Sequence, residues 1–271
     1  MSDRVVVYTG TRNVYTNMEV AAKSLLSSTP VDKVIFCIED ESFPSELPDI
    51  ITVKHIDANE WFDPDGPNYH SSWTYMAFLR LAFPKVFTEY NQILYLDSDT
   101  LVLNDISDIL SLNLGNYFFA MAQEDFGDIP LELLHSFANT PDGLLKCQSD
   151  NPRPSFCIRP YYNSGVLLMN LHRLRSTGMD DNLIREINSN YHLYPDQDSI
   201  NLLCHDSIFP LPVECNVIPA LLPDFPHDAI RIKHFASDKP LWKSSLWQSY
   251  KRMSWNDVMR KQDACKRLKN A

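Results

Sequence analysis

Two carboxylates one residue apart, Asp97 and Asp99, interrupt an otherwise apolar run, Gln92-Ile93-Leu94-Tyr95-Leu96-Asp97-Ser98-Asp99-Thr100-Leu101-Val102-Leu103. Anions this close repel one another and cost desolvation unless a cation joins them. Carboxylate oxygens suit Mg²⁺ or Mn²⁺, ions that keep some waters and also hold phosphates. The chemistry expected at residues 97–99 is therefore that of a metal–diphosphate site.

Four other stretches carry groups able to complete such a site. Trp73–Phe83 is apolar apart from Arg80. A guanidinium in that setting either snorkels to the surface, pairs with a structural carboxylate, or serves an anionic ligand. Asn163-Ser164-Gly165 is a polar step before the apolar run Val166–Met169. Pro195-Asp196-Gln197-Asp198 opens a helical pattern. Capping alone accounts for either acid but not for Gln197 between them. In Ile230-Arg231-Ile232-Lys233-His234-Phe235 the alternation puts His234 on the face of Ile230 and Ile232. An inward His is a satisfied core residue or a ligand, and Asp97 and Asp99 ask for a third ligand.

The elements that must position these groups form an α/β pattern. Strands are predicted at Arg4–Tyr8, Val34–Ile38 and Thr52–Ile56, and a helix from Tyr15 to Ser27 with Val20, Ala21, Ser24 and Leu25 on one face. Strand, turn, helix, strand is the opening of a nucleotide-binding sheet. The turn Thr9-Gly10-Thr11-Arg12-Asn13 is polar but not glycine-rich, so it is neither a P-loop nor a GxGxxG site. A buried helix over Trp73–Phe83 leads to the buried strand ending at Leu96, which delivers Asp97 and Asp99 to the carboxyl edge of the sheet. A short helix at Asp105–Leu110, a strand at Tyr117–Ala122, another buried strand with Asn163-Ser164-Gly165 at its mouth, and a helix over about Leu171–Asn190 follow. The stretch 123–160, with five prolines, has no regular pattern and reads as a binding loop or lid.

Bulk properties exclude several classes. A net charge of −11 argues against non-specific nucleic-acid binding. The charge is uneven: from Lys239 to Ala271 there are nine Lys/Arg and two Asp, +7, which leaves −18 for residues 1–238. No apolar stretch is long enough for a signal peptide or membrane span, and the expected compartment is the cytoplasm. The six cysteines have no zinc-type spacing and are expected to be reduced.

Taken together in order, the first-strand turn with Tyr15, Leu96-Asp97-Ser98-Asp99, Asn163-Ser164-Gly165, Asp196-Gln197 and His234-Phe235-Ala236-Ser237-Asp238-Lys239-Pro240 resemble the glycogenin-like glycosyltransferases of family eight. That family includes bacterial lipopolysaccharide galactosyl- and glucosyltransferases. The resemblance implies a single Rossmann-like domain of GT-A type over 1–238, with a mixed, mainly parallel sheet, 123–160 as an acceptor-side insertion, and 239–271 as a basic, aromatic, partly helical extension. It implies transfer of glucose or galactose from a UDP-sugar, with retention, to a saccharide or glycolipid. Mn²⁺ (or Mg²⁺) would be held by Asp97, Asp99 and His234. Thr9, Gly10, Thr11 and Asn13 would border the uridine, Tyr15 would stack on uracil, and Ser98 would meet the ribose. Arg80 would pair with the donor phosphates or with Asp97. Asn163, Gly165, Asp196 and Gln197 would surround the sugar, with Asp196, Gln197 and Arg80 catalytic. Lys239 would hold the diphosphate, and Asp125, or second Glu124, would bind the sugar.

This chain departs from the family pattern at Ser237, where a glycine is usual, and Lys239 arrives one residue early, so that loop must take another path. Two other functions remain open. One is self-glycosylation of the glycogenin kind. The other is phosphohydrolysis, since Asp97-Ser98-Asp99-Thr100-Leu101 also resembles an Asp-x-Asp phosphatase signature. The extension, with Trp242, Trp247, Tyr250 and Trp255 among its basic residues, either packs its aromatics on the core or makes a peripheral membrane contact.

Overall fold

The run Val5-Val6-Val7-Tyr8 is β-branched and apolar because it lies in the middle of a sheet covered on both faces, and all six residues of β1 (Val5–Gly10) are buried. The computed structural model describes residues 4–40, 42–69, 75–124, 160–236 and 243–270. β1 pairs in parallel with β2 (Lys33–Ile38), β2 with β3 (Ile51–His55), and β1 on its other side with β4 (Gln92–Leu96). Beyond β4 the sheet changes direction. β7 (Val166–Asn170) is antiparallel to both β4 and β6 (Phe119–Ala122), and β6 is parallel to β8 (Ile208–Leu211). The seven strands lie in the order β3-β2-β1-β4-β7-β6-β8, and β5 (Thr100–Val102) forms a separate antiparallel pair with β9 (Ile232–His234).

The reversal at β7 decides the position of Asn163-Ser164-Gly165. An antiparallel strand begins where its parallel neighbour ends, so Val166 lies opposite Leu96 and the Asp97 N–H donates to the Gly165 carbonyl at 2.8 Å. One sheet edge thus collects the amino end of β7 and the carboxyl ends of β1 and β4.

α1 (Tyr15–Ser28) is buried on more than the single face its apolar spacing suggests, including Lys23 and Ser24. It is sandwiched between the strands and the C-terminal helices α8 (Ser245–Arg252) and α9 (Trp255–Asn270). Trp247 is buried edge-on to Phe235, Lys23 sits over the Trp255 ring, and Gln262 donates to the Val31 carbonyl at 3.1 Å. The aromatics of this segment that are described therefore pack inward, while Lys251, Arg252, Arg260, Lys261, Arg267 and Lys269 are exposed. Trp242 lies outside the described residues.

Two helical expectations need correction. The single helix over Leu171–Asn190 is two, α5 (Leu171–Thr177) and α6 (Met179–Ser189), because Gly178 adopts φ +69° and ends the first in a left-handed cap. The stretch around Arg80 is not one α-helix either. α2 (Tyr75–Phe78) and α3 (Phe83–Val86) flank a 3₁₀ turn at Leu79–Ala82, and Trp73 lies outside the described residues. α4 (Ser107–Leu110) and α7 (Pro195–Cys204) start close to where turn and proline signals place them. Cys37, Cys204, Cys215 and Cys265 are free thiols. Among the described residues no helix is long and apolar enough to cross a membrane.

Candidate functional site

Four carboxylates, one guanidinium and one imidazole line a pocket of about 210 Å³ at this sheet edge: Asp97, Asp99, Glu124, Asp196, Arg80 and His234. Ala77, Asn163, Ser164, Tyr194, Gln197 and Ala236 complete its wall. Unscreened, such a set carries excess negative charge, and an anionic ligand would be repelled from it.

One wall is a cation cradle. Ligand atoms of Asp97, Asp99 and His234 all lie within 4.8 Å of one another. His234 Nε2 is 3.3 Å from Asp99 Oδ1 and 3.6 Å from Asp97 Oδ2. The imidazole arrives there because β9 pairs with β5, whose Thr100 stands opposite His234. Two carboxylate oxygens and an imidazole nitrogen fit the donor chemistry of Mn²⁺, and the spacing leaves room for an ion at their centre. Burial disfavours the imidazolium, but Asp99 and then Asp97 outweigh it and raise the His234 pKa. Burial also works against the Asp99 carboxylate, yet facing His234 holds its pKa below the ordinary value.

Gly165 is required here for space rather than for backbone freedom. A Cβ at this position would lie 2.2 Å from His234 Cε1 and 2.8 Å from Asp97 Oδ2. The cradle closes onto bare backbone.

Arg80 joins this wall to the opposite one. It is 3% exposed, and its Nη2 donates to Asp97 Oδ1 at 2.8 Å while Nη1 lies 3.2 Å from Asp196 Oδ2. Its remaining donors go to the Ser164 and Ala77 carbonyls, and the guanidinium lies over the Tyr95 ring at 4.1 Å. Burial works against its charge, but Asp196 and Asp97 overcome this and push its pKa upward. Tyr95 also donates to Asp97 Oδ1 at 2.6 Å, and Thr9 Oγ1 is 3.3 Å from that phenol oxygen. Arg80 is therefore buried and paired with carboxylates while lining the pocket, which excludes snorkelling to the surface.

On the far wall, Asp196 and Gln197 sit in the first turn of α7. Ser164 Oγ donates to Asp196 Oδ2 at 2.8 Å, and burial raises the Asp196 pKa. The Gln197 amide is fixed at both ends: Oε1 accepts the Ser164 N–H at 2.9 Å, and Nε2 donates to Glu124 Oε2 at 2.8 Å. Asp198 has a different duty. It accepts the Tyr161 hydroxyl at 2.5 Å and the Tyr194 N–H at 3.0 Å, anchoring the start of the helix.

The structure thus brings Arg80, Asp97, Asp99, Asn163, Asp196, Gln197 and His234 to one pocket, with Gly165 packed against His234 and Asp97. Thr9, Gly10, Thr11 and Asn13 lie at the same sheet edge, on β1 and the turn after it, but do not line the pocket. Ser98 is half-buried on the turn after β4. Tyr15, expected as a stacking platform, is packed against Phe43. It is 2% exposed, with its ring 4.9 Å from that of Phe43, so a base could stack on it only after Phe43 moved. Asp125 and Lys239 lie outside the described residues, as do Ser237 and most of 123–160. Glu124, the second choice for a sugar-binding acid, does line the pocket; burial raises its pKa. Sequence reasoning missed Asn216, which bonds to His234 from behind. It carries no local signal, being a lone amide between two short elements.

A family model described as Glycosyl transferase family 8 matches residues 5–245. Similar curated proteins include a probable glycosyl transferase of Streptococcus gordonii, 24% identical over 70% of this chain and 26% of that protein. Another is lipopolysaccharide 1,2-glucosyltransferase of Escherichia coli K12, 26% identical over 66% of this chain and 53% of that protein. The chain spans between 26% and 56% of the length of the first three such relatives. Among solved structures, glycosyltransferase GlyE of Streptococcus pneumoniae superposes with a TM-score of 0.66 at 20% identity, over 98% of this chain and 64% of that one. The galactosyltransferase LgtC, solved with donor and acceptor sugar analogs, gives 0.63 at 16% identity over 95% and 99%. These likenesses show a shared GT-A-type fold, and the family match over nearly the whole chain shows that this protein belongs to glycosyl transferase family 8.

Proposed function

We propose that the chain is a metal-dependent, retaining hexosyltransferase that moves glucose or galactose from a UDP-sugar to a saccharide or glycolipid acceptor. The observation that carries this reading is the convergence of Asp97, Asp99 and His234 on one wall of a pocket whose other wall presents Asp196 and Gln197. Those three side chains would hold a divalent ion such as Mn²⁺, which when bound would supply Lewis-acid stabilisation of the departing diphosphate.

The rest falls to the protein's own groups. Loss of UDP leaves positive charge on the sugar ring, and we assign its stabilisation to the Asp196 carboxylate and Gln197 amide, which line the pocket. Arg80 lies between Asp97 and Asp196 and offsets their negative charge at the pocket. The acceptor hydroxyl attacks on the face that UDP leaves, and a diphosphate oxygen takes its proton. In this route Asp196→Ala slows transfer strongly but leaves no trapped sugar on the enzyme; a sugar ester at Asp196 in the wild type would refute it. The turn from Thr9 to Asn13, Tyr15 after displacement of Phe43, and Ser98 serve the nucleoside. Asp125 or Glu124 serves the sugar, and Lys239 the diphosphate. We assign residues 1–238 to the transferase domain and 123–160 to the acceptor side.

Incubation with Mn²⁺ and labelled UDP-glucose or UDP-galactose tests the reading. EDTA-sensitive transfer of label to added saccharide supports it. Label on the protein itself would move the assignment to a self-glycosylating primer, and Mn²⁺-independent binding without UDP release would sink it.

A further inference from the structure

Behind His234 runs a chain of buried amides whose polarity is set from the far end. The Gly165 N–H can only donate, and it donates to Asn163 Oδ1 at 2.9 Å. Asn163 Nδ2 therefore points away, toward Glu124 Oε2 at 3.1 Å, a carboxylate that accepts in its ionised form. Asn216 meets that same Asn163 oxygen at 2.8 Å. Two oxygens at that distance would repel, so Asn216 must present its Nδ2 there and its Oδ1 to His234 Nδ1, 2.9 Å away. An oxygen acceptor at Nδ1 requires the ring proton on that nitrogen. In the neutral imidazole the lone pair is then on Nε2, the atom that faces Asp99 and Asp97.

The backbone holds this arrangement as firmly as the side chains do. Asn216 follows a 3₁₀ turn at Val213–Cys215, and its neighbour Val217 donates to the Ile232 carbonyl and accepts the His234 N–H at 2.8 Å. Asn216 is 4% exposed and Asn163 8%, so the pair is shielded from competing water. A metal-bound histidine commonly donates its other N–H to a partner of this kind, which fixes tautomer and ring orientation.

We infer that Asn216 is a positioning residue that holds His234 as the Nδ1–H tautomer, so that Nε2 is delivered to a divalent cation. The Gly165 N–H and Glu124 together set the direction of the chain at Asn163, and the same Glu124 oxygen accepts from Gln197 Nε2. One carboxylate thereby orients both the cation-binding imidazole and the sugar-facing amide. The inference rests on the cation reading of Asp97, Asp99 and His234.

The test compares wild type, Asn216→Leu, Asn216→Asp and a His234→Ala reference in two measurements. Free Mn²⁺ is followed by electron paramagnetic resonance during titration. The His234 tautomer is read from ¹⁵N imidazole shifts of metal-free, ¹⁵N-His-labelled protein at alkaline pH. Asn216→Leu is expected to lose about 10–100-fold in Mn²⁺ affinity, with the Nδ1–H signal giving way to a tautomer mixture. Asn216→Asp, which keeps an acceptor at Nδ1, retains the Nδ1–H signal and binds Mn²⁺ more tightly than the Leu variant. Wild-type affinity or an unchanged tautomer in Asn216→Leu would overturn the inference alone. If that variant does not fold, loss of the Nδ1–H tautomer in Asn216→Asp would overturn it. A wild type that binds Mn²⁺ no better than His234→Ala would overturn the cation reading and this inference together.

Discussion

At the scale of single residues, the site works by removing freedom from charged groups. Arg80 spends its donors on two carboxylates and two carbonyls while nearly sealed from water, so deleting it strands Asp97 and Asp196. Arg80→Met should cost about 3–5 kcal/mol in urea unfolding. Lys at position 80 should recover little of this, because one ammonium cannot reproduce the planar fork. Gly165→Ala should leave the fold intact by circular dichroism yet cut Mn²⁺ affinity about 10-fold or more, since the new Cβ drives His234 off its position. His234 adds a pH dependence with a definite sign. Its folded pKa is raised by Asp99 and Asp97, so without metal its stabilisation is complete below its ordinary value of about 6.5 and lost as pH rises through the higher folded value. Mn²⁺ competes with that proton, so affinity should climb over the same window. Metal-free melting temperatures falling while Mn²⁺ affinity rises would be the signature; His234→Gln should flatten both.

At the scale of elements, what the sequence disclosed follows from how local each signal is. Asp97 and Asp99 are legible because two neighbouring acids at the end of a buried strand are costly unless a cation joins them. Asn163-Ser164-Gly165 is legible because a polar step precedes an apolar run. That these motifs meet depends on β7 running antiparallel to β4, which no local pattern declares. Asn216 and Glu124 were opaque as partners for the same reason: they reach Asn163 across 53 and 39 residues of chain. The packing of Tyr15 against Phe43 was unreadable for the same reason, since no local pattern pairs the two rings. Gly178 was readable in principle, because a glycine inside a helical pattern often marks a left-handed cap. A Cβ at Gly178 would meet nothing within 4 Å, so Gly178→Ala isolates the backbone cost of φ +69°. It should destabilise by about 1–2 kcal/mol in chemical denaturation without touching Mn²⁺ binding.

At the scale of the whole molecule, charge and packing separate two roles of the C-terminal helices. Their described aromatics are committed to the core, through Trp247 on Phe235 and Trp255 under Lys23, so insertion of these rings into a bilayer would mean dismantling the packing on α1. Outside lie Lys251, Arg252, Arg260, Lys261, Arg267 and Lys269, with Leu268 as the exposed large apolar side chain described there, on a chain whose first 238 residues carry −18 against a total of −11. The affinity of this face for a glycolipid-bearing anionic membrane is expected to be mainly electrostatic, at about 1 kcal/mol per basic residue near the surface and decaying within a Debye length. Truncation before α8 is the wrong probe, because it also exposes the buried Trp247 contact and the Gln262 bond to Val31. Charge reversal at Lys251, Arg252, Lys261 and Lys269 leaves those contacts in place. The wild type should sediment with phosphatidylserine vesicles at about 0.05 M salt, release at about 0.5 M, and ignore neutral vesicles. The reversed variant should fail to sediment while keeping its melting temperature. Binding that persisted at high salt or on neutral lipid would show that apolar insertion, and not the basic face, holds the protein to membranes.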